Sequence, residues 1–174
     1  MRRIRPIADA DRPRLTAVLT RSWGSTRMAT RGRLIDVSTM PGYVADDGDE
    51  WLGYVTYEIV DDAMEVLILE ALAEHQGVAS ALLAACVRDA QAAGARRMWL
   101  ITTNDNLTAL RFYQRRGFVM VALHMGAIND ARMVLKPEIP MTGEHEIPLR
   151  DELELELPSV GWAAFVESYA WPQT

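Results

Sequence analysis

The chain has 174 residues, 49% hydrophobic and 24% charged, the balance of one globular domain long enough to bury a core. No apolar run is long enough to span a bilayer, the basic start MRRIRPIADADRPRL lacks the apolar stretch of a secretory signal, and the single cysteine, Cys86, excludes an internal disulfide. The net charge of −6 is uneven: residues 1–34 hold nine arginines against Asp9 and Asp11, a net of +7, and the remainder carries −13. An acidic chain with no basic–aromatic motif argues against nucleic-acid binding, and the lack of a leader or a span points to a cytoplasmic protein away from membranes.

In chain order, RRIRPI reads as a short strand. DADRPRLTAVLTRSWG reads as a helix capped by Asp9 or Asp11, with Leu15, Val18, Leu19 and Trp23 at helical spacing and Gly24 as its stop. STRMATRGRLIDVSTMPG reads as a short helix or a loop. GYVAD, WLGYVTYEIV and MEVLILEAL are strand-like runs separated by Asp/Gly turns, the pattern of antiparallel hairpins. VASALLAACVRDAQAAGA is a helix with Leu82, Leu83, Cys86, Val87 and Ala90 on one side and Gly94 as its stop. RRMWLITT is a buried strand, NDNLTALRFYQRRGF a second helix ending at Gly117, FVMVAL a strand and AINDARMV a short helix. In DELELEL, the leucines at 153, 155 and 157 alternate with Glu152, Glu154 and Glu156, which predicts a strand with one wet face. The order predicts a mixed α/β sheet with helices on its faces. Residues 1–157 form that domain. Residues 158–174 carry Trp162, Phe165, Tyr169 and Trp171, an aromatic tail that packs on the domain or on a second subunit of a homodimer.

Two stretches carry chemistry. EHQGVASALL joins a strand to a helix, and the small Gly77 and Ala79 would let a phosphate approach the unpaired N–H groups of the helix start, with Ser80 helping to cap. It is neither a Walker loop nor a dinucleotide fingerprint. In NDNLTALRFYQRRGF, Asn104 and Asp105 are suited to cap the helix, and Arg115 and Arg116 lie in its last turn, where one can reach a phosphate. His75, His124 and His145 form no metal-ligand cluster with the one cysteine, so no metal is expected, and Cys86 sits in an apolar helix as a structural thiol.

Read together, Gln76-Gly77-Val78-Ala79, the strand MWLITTND, then Asn106, Ala109, Phe112-Tyr113 and Gly117-Phe118 resemble the Gcn5-related N-acetyltransferase (GNAT) family. Its pyrophosphate loop, Q/R-x-x-G-x-G/A, appears as Glu74 to Ala79, with Glu74 departing from the usual Gln or Arg. The resemblance covers roughly residues 1–125. It implies a mostly antiparallel sheet with splayed parallel central strands, and acetyl-CoA as co-substrate. Gly77, Val78, Ala79 and Ser80 would hold the pyrophosphate, and the backbone from Leu69 to Leu72 the acyl-pantetheine arm. Asn106 would bond the pantetheine amide, Ala109 would give room, and Tyr113 would protonate the departing thiolate. The implied acceptor is a small-molecule or peptide primary amine that attacks directly. Glu70 is the first candidate base, because a charge inside VLILEAL is otherwise costly, and Glu58 the second. Trp23, Arg31 and Arg33 fall in the segment that walls the acceptor site in that family. A non-catalytic acyl-CoA-binding module on the same fold is the alternative, and a nucleotide-phosphate enzyme using the same helix end is the rival from another class.

Overall fold

Strand β1, Arg3–Pro6, leads into a helical turn and then α1, Arg12–Trp23. This computed structural model describes residues 2–73 and 76–171. Gly24 ends α1 in the left-handed region, at φ 71°, its N–H donating to Thr20 O. Asp11 stands at the other end, but its carboxylate makes no cap. It is committed to the Arg5 guanidinium and the Ala8 N–H instead.

The segment expected as a short helix or loop is a hairpin, with β2 at Arg27–Thr30 and β3 at Arg33–Asp36. Arg31 and Gly32 form its two-residue turn, both at positive φ (45° and 72°), the backbone a tight hairpin of right-handed twist needs. Strands β4 (Gly42–Asp46), β5 (Trp51–Val60) and β6 (Ala63–Ala71) follow as the expected hairpins. Helix α2 (Val78–Ala92), β7 (Arg97–Thr103), α3 (Leu107–Gln114), β8 (Val119–His124), α4 (Ala127–Val134), β9 (Glu152–Leu157) and α5 (Trp162–Tyr169) complete the chain.

The main sheet has seven strands in the order β1-β4-β5-β6-β7-β9-β8, and its one parallel pair is β6 with β7. Two cores lie on its two faces. On one, α2 and α5 bury Leu82, Cys86, Phe165 and Trp162 against Val66, Leu100 and Leu155. On the other, α1 buries Leu15, Val18 and Leu19 against Tyr54, Leu67 and Ile68. The aromatic tail therefore packs within the chain, through rings running from Tyr113 to Phe118, Phe165 and Tyr169. Among the described residues no helix is long and apolar enough to cross a membrane.

β9 corrects one expectation. Its leucine face joins the core, but Glu152 and Glu154 on the other face are buried rather than wet. The β2–β3 hairpin covers that face, and partners there accept the charge. Arg97 pairs with Glu154 and Glu156, His124 with Glu154, and the Arg31 N–H with Glu152.

Close packing fixes one glycine. A Cβ on Gly53 would stand 2.6 Å from Glu70 O and 2.7 Å from Val78 Cγ1, where α2 meets β5 and β6. Gly53→Ala is expected to lower stability by about 1–3 kcal/mol. Gly161→Ala, where a Cβ meets nothing within 4 Å, should stay near wild type in the same urea unfolding experiment. Equal midpoints for the two variants would contradict this packing.

Candidate active site

The site begins with a fault in the ladder. Thr56 pairs with Ile68, but Tyr57 pairs with Val66, so Leu67 is an extra residue on β6. A bulge bends its strand and leaves the extra residue unpaired. On the other edge, β6 pairs with β7 only from Ala63–Arg97 to Val66–Leu100. Beyond this point the two parallel strands separate, and a cavity of about 270 Å³ lies between them.

The backbone of β6 supplies donors there. Leu72 N–H donates to Leu52 O at 2.9 Å. It is therefore taken, which corrects the expectation that it serves a ligand. Antiparallel alternation then turns the Glu70 N–H toward β5 as well, and leaves those of Leu69 and Ala71 on the β7 side. Leu69 lines the cavity.

Asn106, Ala109 and Tyr113 of the α3 segment line the same cavity. Asn106 itself is the N-cap of α3, its Oδ1 accepting the Ala109 N–H at 2.9 Å. This replaces the expected caps. Asn104 bonds the backbone at Pro148, Arg150 and Asp151, and Asp105 receives the Thr103 hydroxyl and the Glu144 N–H. Because Oδ1 does the capping, the Asn106 Nδ2 group makes no bond among the described residues and is open to an acceptor in the cavity. Tyr113 is 9% exposed, wedged against Phe112 and Phe118 with ring centroids at 5.1 Å. Its hydroxyl has no hydrogen-bond partner among the described residues. Burial pushes its pKa above the ordinary tyrosine range, so it holds its proton at neutral pH.

The start of α2 offers a place for anions. Gly77 stands at its N-cap at φ 74°, a conformation that suits glycine, and no side chain caps the turn. The N–H groups of Val78, Ala79 and Ser80 belong to that uncapped turn. The Ser80 hydroxyl does not cap. It accepts from Arg116 Nε at 2.7 Å. The Arg116 guanidinium stacks on Phe112 at 3.7 Å and has no carboxylate partner among the described residues. Glu74 and His75 lie outside the described residues.

The acids are arranged otherwise than expected. Glu70 does not line the cavity. Its carboxylate turns to α1, where Ser22 Oγ (2.8 Å), Trp23 Nε1 (3.2 Å) and the Tyr54 hydroxyl all donate to it. Glu58 is paired with Arg33 at 2.6 Å. The acids that line the cavity are Glu65 and Glu152, together with Thr30 and Trp23. Glu65 is 3% exposed and bonds Arg33 Nη2 at 2.7 Å. Burial pushes its carboxyl up to about 7, with Arg33 opposing the shift and Glu58 adding to it. His124 and Arg31 sit with Glu152 around a neighbouring cavity. Cys86 is fully buried in the core, and burial pushes its thiol up, so it offers no nucleophile.

The family described as Acetyltransferase (GNAT) family matches residues 7–118. Two uncharacterized proteins of Bacillus subtilis (strain 168) are similar along most of their length. YxbD is 34% identical over 151 residues, covering 86% of this chain and 94% of its own, and YdhI is 36% identical over 140 residues, covering 80% and 87%. Among solved structures, the IAA acetyltransferase from Bacillus cereus ATCC 14579 superposes with a TM-score of 0.66 at 22% identity, over 90% of this chain and 99% of that one. A GNAT family acetyltransferase from Elizabethkingia anophelis with acetyl-CoA bound gives 0.64 at 17%, over 90% and 97%. At these identities the two structures speak for the fold.

The double use of Asn106 can be separated. Asn106→Ala is expected to cost about 1 kcal/mol through loss of the cap, whereas Asn106→Asp keeps a capping oxygen and should unfold near the wild-type midpoint. Equal destabilisation by both would mean that Asn106 does not cap α3.

Proposed function

The chain belongs to the GNAT acetyltransferase family, and from that premise we propose that it transfers the acetyl group of acetyl-CoA to a primary amine by direct attack. The observation that carries this reading is the cavity at the parting of β6 and β7, whose lining includes Tyr113, with a hydroxyl unpartnered among the described residues, and the buried carboxylate of Glu65.

Each end of the co-substrate has a match in the chain. The uncapped first turn of α2, at Gly77 to Ser80, suits the pyrophosphate, because its N–H groups carry partial positive charge and no side chain competes for them. Arg116 adds a fixed cation beside Ser80. The Asn106 amide nitrogen suits a pantetheine carbonyl. The N–H groups of Leu69 and Ala71 face the gap, where they can bind the arm and the thioester oxygen as charge develops on it.

Glu65 is our choice of base. It takes a proton from the incoming ammonium and passes it to solvent, and the neutral amine forms the C–N bond. The C–S bond breaks as Tyr113 gives its proton to the departing sulfur, and the second proton shed by the acylated nitrogen leaves to solvent, which reprotonates Tyr113. Burial raises the Tyr113 hydroxyl above its ordinary range, so it carries its proton at neutral pH and can give it as negative charge develops on the sulfur. Glu70 remains the competing base. It has the less favourable position, since three donors hold its carboxylate outside the cavity lining.

The pH dependence separates these roles. Glu65 works as a carboxylate, so kcat/KM should rise with pH through about 7 and then level. Glu65→Gln should abolish that rise and lower the rate by about 10²-fold or more, while Glu70→Gln should keep the rise. Tyr113→Phe should lower kcat by a similar factor with the rise retained. The measurement is CoA release across pH 5.5 to 9, a range set about the Glu65 value. A Glu65→Gln enzyme with the wild-type profile would remove Glu65 as the base.

A further inference from the structure

Besides Ser25, Arg27, Thr102, Thr103 and Lys136, whose ammonium donates to the Arg27 carbonyl, two polar side chains that line the cavity take no part in the transfer described above. Glu152 is 1% exposed, among the most deeply buried charged residues of the chain. Its Oε2 accepts the Arg31 backbone N–H at 3.1 Å, and no cationic side chain pairs with it among the described residues. Its carboxyl is raised above the usual range, by burial first. Glu154, two residues on, differs: Arg97 and His124 both pair with it. The second side chain is Thr30, at the end of β2. It is 2% exposed, it lines the same cavity, and its Oγ1 has no hydrogen-bond partner among the described residues.

Neither condition is cheap. A buried hydroxyl with no partner loses its bonds to water without replacement, and a buried carboxylate without a cation loses more. Thr56 is the other buried hydroxyl in this state, but it does not line the cavity. Thr30 and Glu152 come from different elements, the hairpin and β9, both line the cavity, and the bond from the N–H of Arg31, the residue after Thr30, to Glu152 ties the two elements together. A carboxylate that only accepts and a hydroxyl with a free oxygen suit a compact group rich in N–H donors. An alkylammonium, with three donors and one positive charge, answers both. Glu65, already bonded to Arg33, is left for the nitrogen that reacts.

Resting on the acetyl-transfer reading of this cavity, we infer that Glu152 and Thr30 form a subsite for a second protonated nitrogen of the acceptor, so that the preferred acceptor is a small diamine. The cavity, about 270 Å³, has room for a short aliphatic chain between apolar walls that include Met28, Val37 and Ile128.

The test is calorimetric titration of the protein saturated with CoA, using diaminobutane and butylamine. A charge-assisted pair at the subsite should make the diamine bind about tenfold or more tightly than the monoamine. Glu152→Gln and Thr30→Val, both near-isosteric, should each bring that ratio toward one. Equal affinity of the two amines in the wild-type protein would overturn the proposal, and so would a ratio unchanged in both variants. CoA release from acetyl-CoA is followed with the same amines. Failure to release CoA would count against the transfer reading, while the binding ratio would still decide the subsite.

Discussion

The structure turns on the separation of two parallel strands. β6 and β7 pair for four residues and then part after Val66 and Leu100. The cause lies on the other edge of β6, where the extra residue Leu67 bends the strand against β5. Without that bend the β7-facing N–H groups of Leu69 and Ala71 would be used up in a continuous ladder. With it, they face the gap in the middle of an otherwise closed sheet. The connection from β6 back to β7 runs through α2, and so places an uncapped helix start beside the opening. The same connection packs α2 closely on the sheet at Gly53.

The second organising feature is charge. The basic start of the chain and its acidic remainder meet on one face of the sheet. Glu58, Glu65, Glu152, Glu154 and Glu156 occupy that face, and Arg31, Arg33 and Arg97 come to it from the hairpin and β7. Arg31 and Arg97 also lie over the Trp99 ring at 5.1 and 5.0 Å. Most of these acids are neutralised by an arginine. Breaking such a pair in a buried place leaves a charge that costs several kcal/mol, so the hairpin is held firmly where it covers the sheet. Glu152 is the exception, bonded to a backbone N–H alone, and it is an acid that borders the cavity.

Much of this could be read from the sequence. The hairpins β4 to β6, the helix at 78–92, the buried strand RMWLITT and the family motif at Gly77, Asn106 and Tyr113 are local patterns, and they appear where the patterns place them. The losses share a physical cause. Regular alternation puts residues 65 and 70 on opposite faces of a strand. The bulge at Leu67 returns both to the face of α1. No spacing rule announces a bulge. The wet face expected of DELELEL fails for a similar reason: alternation shows that the glutamates share a face, but only tertiary structure brings Arg97, His124 and the Arg31 backbone N–H to it. Asn106 was read as a ligand residue alone because Asn104 and Asp105 stood in front of it as ready caps, and both are diverted to the 142–151 segment.

We propose that the parted edge of β6 receives the acyl arm through its backbone. Residue-resolved amide hydrogen exchange, with and without acetyl-CoA, tests it most directly. Leu69 and Ala71 should exchange quickly in the free protein and slow by about tenfold or more when acetyl-CoA is bound, whereas Glu70, whose N–H faces β5, should be protected in both states. Leu69 and Ala71 amides that exchange at the same rate in both states would contradict the account.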